Sequence, residues 1–216
     1  MMKLEMDRIY RKTPLDEIPW NIETPPNDLV ELVDIGKVKP CKTIDLGCGT
    51  GNYAIYLASR GFDVTGIDIS PTVIKIAKEN AKKKGGFKCT FLVADVLGDL
   101  CEVKDKFDFA YDWELLHHIF PAQRRIYVEN VYKLLNPGGK YLSVCFSEKD
   151  NEFGGSGNYR ETSLGTVLYF SSEGELRSLF EPYFWIIELK TIVIRGRPMF
   201  HFANYVFMER KSGVDN

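Results

Sequence analysis

The stretch Thr43-Ile44-Asp45-Leu46-Gly47-Cys48-Gly49-Thr50-Gly51-Asn52 decides how this chain folds. Thr43 to Leu46 is a short apolar run that reads as a buried strand; three alternating glycines break it, and an amphipathic segment from Tyr53 to Ser59 follows. A strand therefore enters a helix through a turn almost bare of side chains. Glycine permits positive φ and carries no β-carbon, so a ligand can approach the backbone N–H groups at the start of that helix. A nucleotide-like ligand suits such a turn. The dinucleotide fingerprint wants a third glycine where Asn52 stands, and the Walker A lysine with its Ser or Thr is absent, so a pyrophosphate ligand is disfavoured.

Outward from this turn, the 216 residues, 44% hydrophobic and 27% charged, fit one moderate domain, 1–216, with a real core. A net charge of −2 provides no basic field for nucleic acid, so a small-molecule partner is expected and a nucleic-acid partner is not. The start, Met1-Met2-Lys3-Leu4-Glu5, has no apolar signal-like core, and no apolar run reaches bilayer length. These features predict a cytoplasmic protein with no membrane partner. Cys41, Cys48, Cys89, Cys101 and Cys145 are odd in number and lack a C-x-x-C pair, and His117, His118 and His201 supply no ligand spacing with them. Reduced thiols and no metal site are expected.

Residues 1–26 combine proline and charge with Tyr10, Trp20 and Ile22. They form either a lid closing over a ligand or a tail packed on the sheet edge. Asn27 is expected to cap a helix that faces inward with Leu29, Val30, Leu32 and Val33 and ends at Gly36. A second strand, 62–67, leads to Asp68-Ile69-Ser70-Pro71. A carboxylate at the tip of the strand beside the glycine turn can accept both hydroxyls of a ribose, while Asp68 or Ser70 can also cap the helix that Pro71 opens. The third strand, 89–93, runs into Asp95 and Val96. The fourth occupies 106–111 and exits through Asp112-Trp113-Glu114-Leu115-Leu116-His117-His118. In an open parallel sheet ligands lie beyond the carboxyl ends of the strands, so Asp112 to His118 are expected to line a transfer site. Asp112 is placed to hold a ligand's polar group or a nucleophile. His117 and His118 are either bases or locally capped and packed rings.

A helix from Pro121 to Leu135, with Ile126 among its inward residues, ends at Asn136-Pro137-Gly138-Gly139, and a fifth strand covers 140–146. Residues 147–170 lack periodicity and form a substrate-side loop in which Arg160 can meet an anionic group or a surface partner. A helix from Ser171 or Ser172 to Leu179 and two β segments around Gly196-Arg197-Pro198 complete the chain.

Asp45-Leu-Gly-Cys-Gly-Thr-Gly resembles the first motif of class I S-adenosylmethionine-dependent methyltransferases, and the later acids agree in order and spacing. The resemblance implies an α/β, Rossmann-like fold: a mainly parallel seven-stranded sheet with a C-terminal antiparallel β hairpin and helices on both faces. It implies S-adenosyl-L-methionine as cofactor, held by Trp20, Asp45, Gly47, Gly49, Gly51, Asn52, Asp68, Ile69, Asp95, Val96 and Asp112, with Asp95 and Val96 bordering the base. More narrowly, residues 107–127, the 169–181 element and the Trp20 segment resemble the thiopurine, tellurite-resistance and halide/thiol methyltransferase group. That implies methyl transfer to a small thiol, halide or chalcogen compound by a monomer or homodimer. Asp112, His117 and Tyr10 are then the catalytic candidates, and Trp113, His118 and Arg160 the substrate candidates. Aromatic walls suit a sulfonium through their ring faces. A non-catalytic cofactor-binding module, an enzyme acting on oxygen or nitrogen, and a nicotinamide oxidoreductase are the alternatives.

Overall fold

A computed structural model describes residues 2–153, 157–196 and 199–213. Its sheet has the order β3-β2-β1-β4-β5-β9-β8. Strands β1 (Lys42–Leu46), β2 (Asp63–Asp68), β3 (Cys89–Val93), β4 (Phe107–Trp113) and β5 (Leu135–Phe146) pair in parallel, as their near-continuous apolar runs demand. The long hairpin β8 (Phe184–Arg195) and β9 (Phe200–Arg210) adds antiparallel to β5. Arg197 and Pro198 of the expected turn lie outside the described residues. Chain direction across the sheet reverses between β1 and β4, so the ligand crevice of an open α/β sheet falls beyond Leu46 and Trp113.

Helices cover both faces. On one, Leu29 of α2 (Asn27–Asp34), Leu57 of α3 (Asn52–Ser59) and Ile74 of α4 (Pro71–Lys83) pack with Val64, Phe109 and Leu142 of the strands. On the other, Tyr127 and Val131 of α5 (Pro121–Leu134) and Leu176 and Phe180 of α6 (Glu173–Phe180) pack with Ile44, Ala110 and Tyr141. Local rules set the ends. The Ser70 hydroxyl accepts the Val73 N–H ahead of Pro71, and Ser172 and Glu175 form a reciprocal capping box. Gly51, at φ 78°, is the N-cap of α3; a β-carbon there would stand 2.8 Å from the Phe91 ring. That position needs glycine for close packing as well as for its left-handed backbone.

Four local expectations are corrected. Asn27 is the first helical residue, with Pro26 as the N-cap. Ile126 is 48% exposed, because Tyr127 and Val128 take the inner face of α5. α5 passes directly into β5 at Leu135, and Asn136 to Gly139 form a bulge between the Phe107–Leu135 and Phe109–Lys140 pairs. The loop after β5 carries its own antiparallel pair, β6 (Tyr159–Glu161) and β7 (Val167–Tyr169). Residues 154–156 of that loop lie outside the described residues. No described helix is long and apolar enough to cross a membrane.

The N-terminal arm is ordered as α1 (Met2–Lys12) and a following coil, an arrangement its prolines concealed. Asp7 accepts the Ser70 hydroxyl at 2.8 Å and the Thr72 N–H at 3.1 Å, docking α1 on the start of α4. Ile9, Tyr10 and Ile18 bury against Val73, with Trp20 and Leu164 packed beside them.

Candidate active site

The crevice at the reversal point contains a cavity floored by the glycine turn and roofed by the arm. Gly47, Gly49, Asn52, Asp45, Asp68, Ile69, Asp95 and Val96 line it, with Tyr10, Trp20 and Trp113 as aromatic walls. Gly47 and Gly49 adopt φ 75° and 51°. A β-carbon on Gly49 would come within 3.4 Å of the Tyr10 hydroxyl, so the arm closes down on the bare turn. Trp20 Nε1 donates to that hydroxyl at 2.9 Å. Two further bonds staple the arm: Thr50 Oγ1 donates to Asn21 Oδ1 at 2.7 Å, and Asn52 Nδ2 donates to the Ile22 carbonyl at 3.3 Å.

Asp68 accepts the N–H groups of Gly49 at 3.1 Å and Ser70 at 2.9 Å, so it shapes the turn while lining the cavity. Burial pushes its carboxyl up to about 6 against the pull of those N–H groups. Burial, aided by the charges of Asp68 and Asp112, pushes Asp45 up to about 7. Asp45, Asp68, Asp95 and Glu114 line the cavity, and no lysine or arginine does so among the described residues. Such an acid-rich wall favours a cationic ligand and repels a pyrophosphate.

Three expected site residues sit elsewhere. Asp112 is fully buried and is not among the residues lining this cavity; it accepts the Tyr127 hydroxyl at 2.9 Å, the Ser143 hydroxyl at 3.2 Å and the Tyr141 hydroxyl. It locks β4 to β5 and α5, because the strand's alternation turns its side chain into the α5 face. Arg160 is buried with its guanidinium 4.1 Å from the Phe170 ring centre, and it donates to the carbonyls of Asp150, Glu152, Glu148 and Gly157. It holds the loop together and lines neither cavity. Gly51 packs on Phe91 behind the turn.

A second cavity adjoins the first and shares Trp20, Glu114 and His118 with it. Pro19, Phe146, Phe153, Leu164, Leu168 and Met199 make it largely apolar. His117 faces this second cavity alone; its ring stacks on Phe146 at 4.2 Å and its Nδ1 accepts the Phe146 N–H at 3.4 Å. Burial pushes the His118 ring down to about 4 and holds His117 well below the usual imidazole range, so both are neutral. Trp113 walls the first cavity only. Sequence reasoning missed Asn21, Thr50 and Tyr53 in these walls, and it placed Glu114 within the Asp112–His118 stretch without giving it a role of its own. For Glu114 the available signal was its place directly after a strand that ends at the reversal point.

Residues 44–139 match the family model described as a methyltransferase domain. Among curated proteins, the chain is 32% identical over 130 residues to 2-heptyl-1-hydroxyquinolin-4(1H)-one methyltransferase of Mycobacteroides abscessus, covering 60% of this chain and 56% of that one. It is 29% identical over 129 residues to probable thiol methyltransferase 2 of Arabidopsis thaliana, covering 59% and 56%. The chain spans about half the length of these relatives. A structure solved in work on the conversion of a disulfide bond into a thioacetal group during echinomycin biosynthesis superposes with TM-score 0.82 at 25% identity, covering 99% of this chain and 94% of that one. The strand order, glycine turn and match over residues 44–139 together support a Rossmann-like methyltransferase domain, with S-adenosyl-L-methionine as its cofactor.

Proposed function

We propose that this chain transfers a methyl group from S-adenosylmethionine to a small, largely apolar acceptor seated in the second cavity. The observation that carries this reading is the shared wall of Trp20, Glu114 and His118, where an acid-rich cofactor cavity meets an apolar one. When bound, the cofactor supplies an electrophilic methyl group and leaves as S-adenosylhomocysteine.

The cofactor cavity's residues fit that group. The Gly47 and Gly49 backbone admits a close ligand, Asp68 retains lone pairs for a ribose, and Asp95 and Val96 border the space for a base. Asp45 offers a carboxylate to an ammonium, and Tyr10, Trp20 and Trp113 offer ring faces to a cation. The arm, residues 1–26, acts as a lid that excludes water, and the 147–170 loop forms the acceptor's side of the site. The Tyr10 phenol, pushed up by burial, stays protonated and orients ligand and Trp20 rather than acting as a base.

An apolar acceptor cavity supports a thiol or another soft nucleophile, and the quinolone-methylating relative supports an oxygen or nitrogen acceptor on the same fold. Calorimetry with S-adenosylhomocysteine, followed by methyl transfer to a panel of thiols, halides, phenols and amines, tests the proposal. Saturable binding and methylation of a small member are expected. No affinity for S-adenosylhomocysteine overturns the assignment, and binding without turnover leaves a cofactor-binding module.

A further inference from the structure

We infer that Glu114 is the proton acceptor of the reaction, and that the acceptor molecule is therefore a weakly acidic thiol or aromatic hydroxyl whose proton the Glu114 carboxylate takes. This rests on the reading of the two cavities as cofactor and acceptor sites.

Glu114 lines both cavities, at the wall where they meet. Its backbone, φ 67°, occupies the left-handed region that residues other than glycine rarely adopt, while its N–H donates to Val144 O at 2.9 Å and extends the β4–β5 ladder. Strain of this kind persists where the surroundings fix a side chain for use. No described residue donates a hydrogen bond or an ion pair to its carboxylate, although ion pairs or hydrogen bonds hold most other carboxylates that burial withdraws from solvent, among them Asp7, Asp68, Asp112 and Asp150. A partly buried acid without a partner is costly unless a ligand completes it.

Phenols, acids and imidazoles face it, and no lysine or arginine lines either cavity among the described residues. On the cofactor side are the phenols of Tyr10 and Tyr53, both pushed up by burial, and the acids Asp45, Asp68 and Asp95. On the acceptor side are His117, His118, Glu152 and His201. His118, the one histidine on the shared wall, is held down to about 4 by burial. Burial alone pushes Glu114 up to about 8, close to the range of thiols and within reach of phenols. An aliphatic alcohol is too weak an acid for this base, and a halide brings no proton for it.

The step balances. The acceptor's sulfur or oxygen forms its bond to the methyl carbon, the carbon–sulfonium bond breaks with its electron pair going to sulfur, and the acceptor's proton passes to Glu114. The products are the methylated acceptor and S-adenosylhomocysteine, with the proton returned from Glu114 to solvent.

The test compares full-length protein with Glu114→Gln and Glu114→Asp on a series of substituted thiophenols and phenols of graded acidity. S-adenosylhomocysteine affinity, measured for each variant, separates a loss of cofactor binding from a loss of turnover, since Glu114 also lines the cofactor cavity. Turnover by Glu114→Gln should fall about 100-fold or more for the least acidic acceptors and little for those already ionised, with Glu114→Asp intermediate. Carbon-13 carboxyl NMR of Glu-labelled protein in the S-adenosylhomocysteine complex should show one group titrating near 8, missing in Glu114→Gln. An equal loss across the whole series, or no such titrating group, overturns the role of Glu114 and leaves the methyltransferase reading standing. Absence of S-adenosylhomocysteine binding by the parent protein overturns that reading instead.

Discussion

The carboxylate of Asp68 accepts the N–H of Gly49 at 3.1 Å, tying the tip of β2 to the glycine turn that follows β1. One side chain thus fixes the turn's shape and faces the cavity proposed to hold the cofactor. Asp68→Ala removes a charge-assisted bond and a ligand contact together, each worth about 1.5–3 kcal/mol. Calorimetry should show S-adenosylhomocysteine affinity lowered about 10- to 100-fold. Asp68→Asn, which keeps an acceptor oxygen, should lose less.

Acid-rich walls make cofactor affinity depend on pH. Asp45 and Asp68, raised to about 7 and about 6, hold protons in the free protein at mildly acidic pH. A cation favours their ionised forms, so binding expels protons below those values and the dissociation constant falls as pH rises from 5 to 8. Each group contributes at most about tenfold per pH unit below its own value. Titrations at pH 5, 6, 7 and 8 should show S-adenosylmethionine tightening more than S-adenosylhomocysteine, because the sulfonium adds a charge.

Asp112 separates a structural acid from a ligand-binding one. Its carboxyl, raised by burial to about 6 from 3.8, favours the folded state most when protonated. Its contribution is fully present below 3.8 and is lost as pH rises through about 6, leaving a cost of at most about 3 kcal/mol at neutral pH. Urea unfolding should therefore show the stability of the parent protein relative to Asp112→Asn falling between pH 4 and pH 7. S-adenosylhomocysteine affinity at pH 7.5 should change by less than about threefold, since Asp112 lines neither cavity.

The contrast between Asp68 and Asp112 shows how far sequence carries. Strand positions, helix stops and the reversal point follow from apolar runs, glycines and Ser70-Pro71, and they place Asp45, Asp68 and Asp95 at one sheet edge. Alternation alone does not decide whether an acid near the end of β4 faces the crevice or the core, since Asp112 and Glu114 are two residues apart and would share a face; the left-handed backbone at Glu114, φ 67°, breaks that pattern, so Glu114 lines the crevice while Asp112 stays in the core. Arg160 has the composition of an anion contact, yet loop carbonyls consume its donors. α1 was illegible because its docking depends on Asp7 meeting Ser70 and Thr72, some 65 residues away.

Gly51 tests packing apart from ligand contact. A methyl group there would stand 2.8 Å from two Phe91 ring carbons and 3.1 Å from the Ala77 β-carbon, on a backbone at φ 78°. Gly51→Ala should destabilise the fold by about 2–4 kcal/mol in urea unfolding. Phe91→Leu makes room at its own cost, so the double variant should be more stable than the sum of the single losses predicts. Strict additivity would mean that the backbone conformation, rather than the ring, sets the requirement for glycine.

The proposed action of the arm as a lid would rest on its bonds to the turn. Thr50 Oγ1 donates to Asn21 at 2.7 Å, and Asn21 Nδ2 in turn donates to the Leu15 carbonyl at 2.8 Å, so Asn21 links the glycine turn to the coil carrying Trp20. Asn21→Ala cuts both links while leaving the sheet and the Asp68 contacts untouched. A lid held this way opens more often, and ligand escape quickens before equilibrium stability changes. Stopped-flow displacement of S-adenosylhomocysteine, read through the fluorescence of Trp20 and Trp113, should show dissociation about tenfold faster, corresponding to about 1.4 kcal/mol. Hydrogen exchange should show Tyr10 to Ile22 losing protection in the complex while β1 and β4 keep theirs. Unchanged dissociation would place the arm as a static edge cover, since a tail merely packed on the sheet does not gate the cavity.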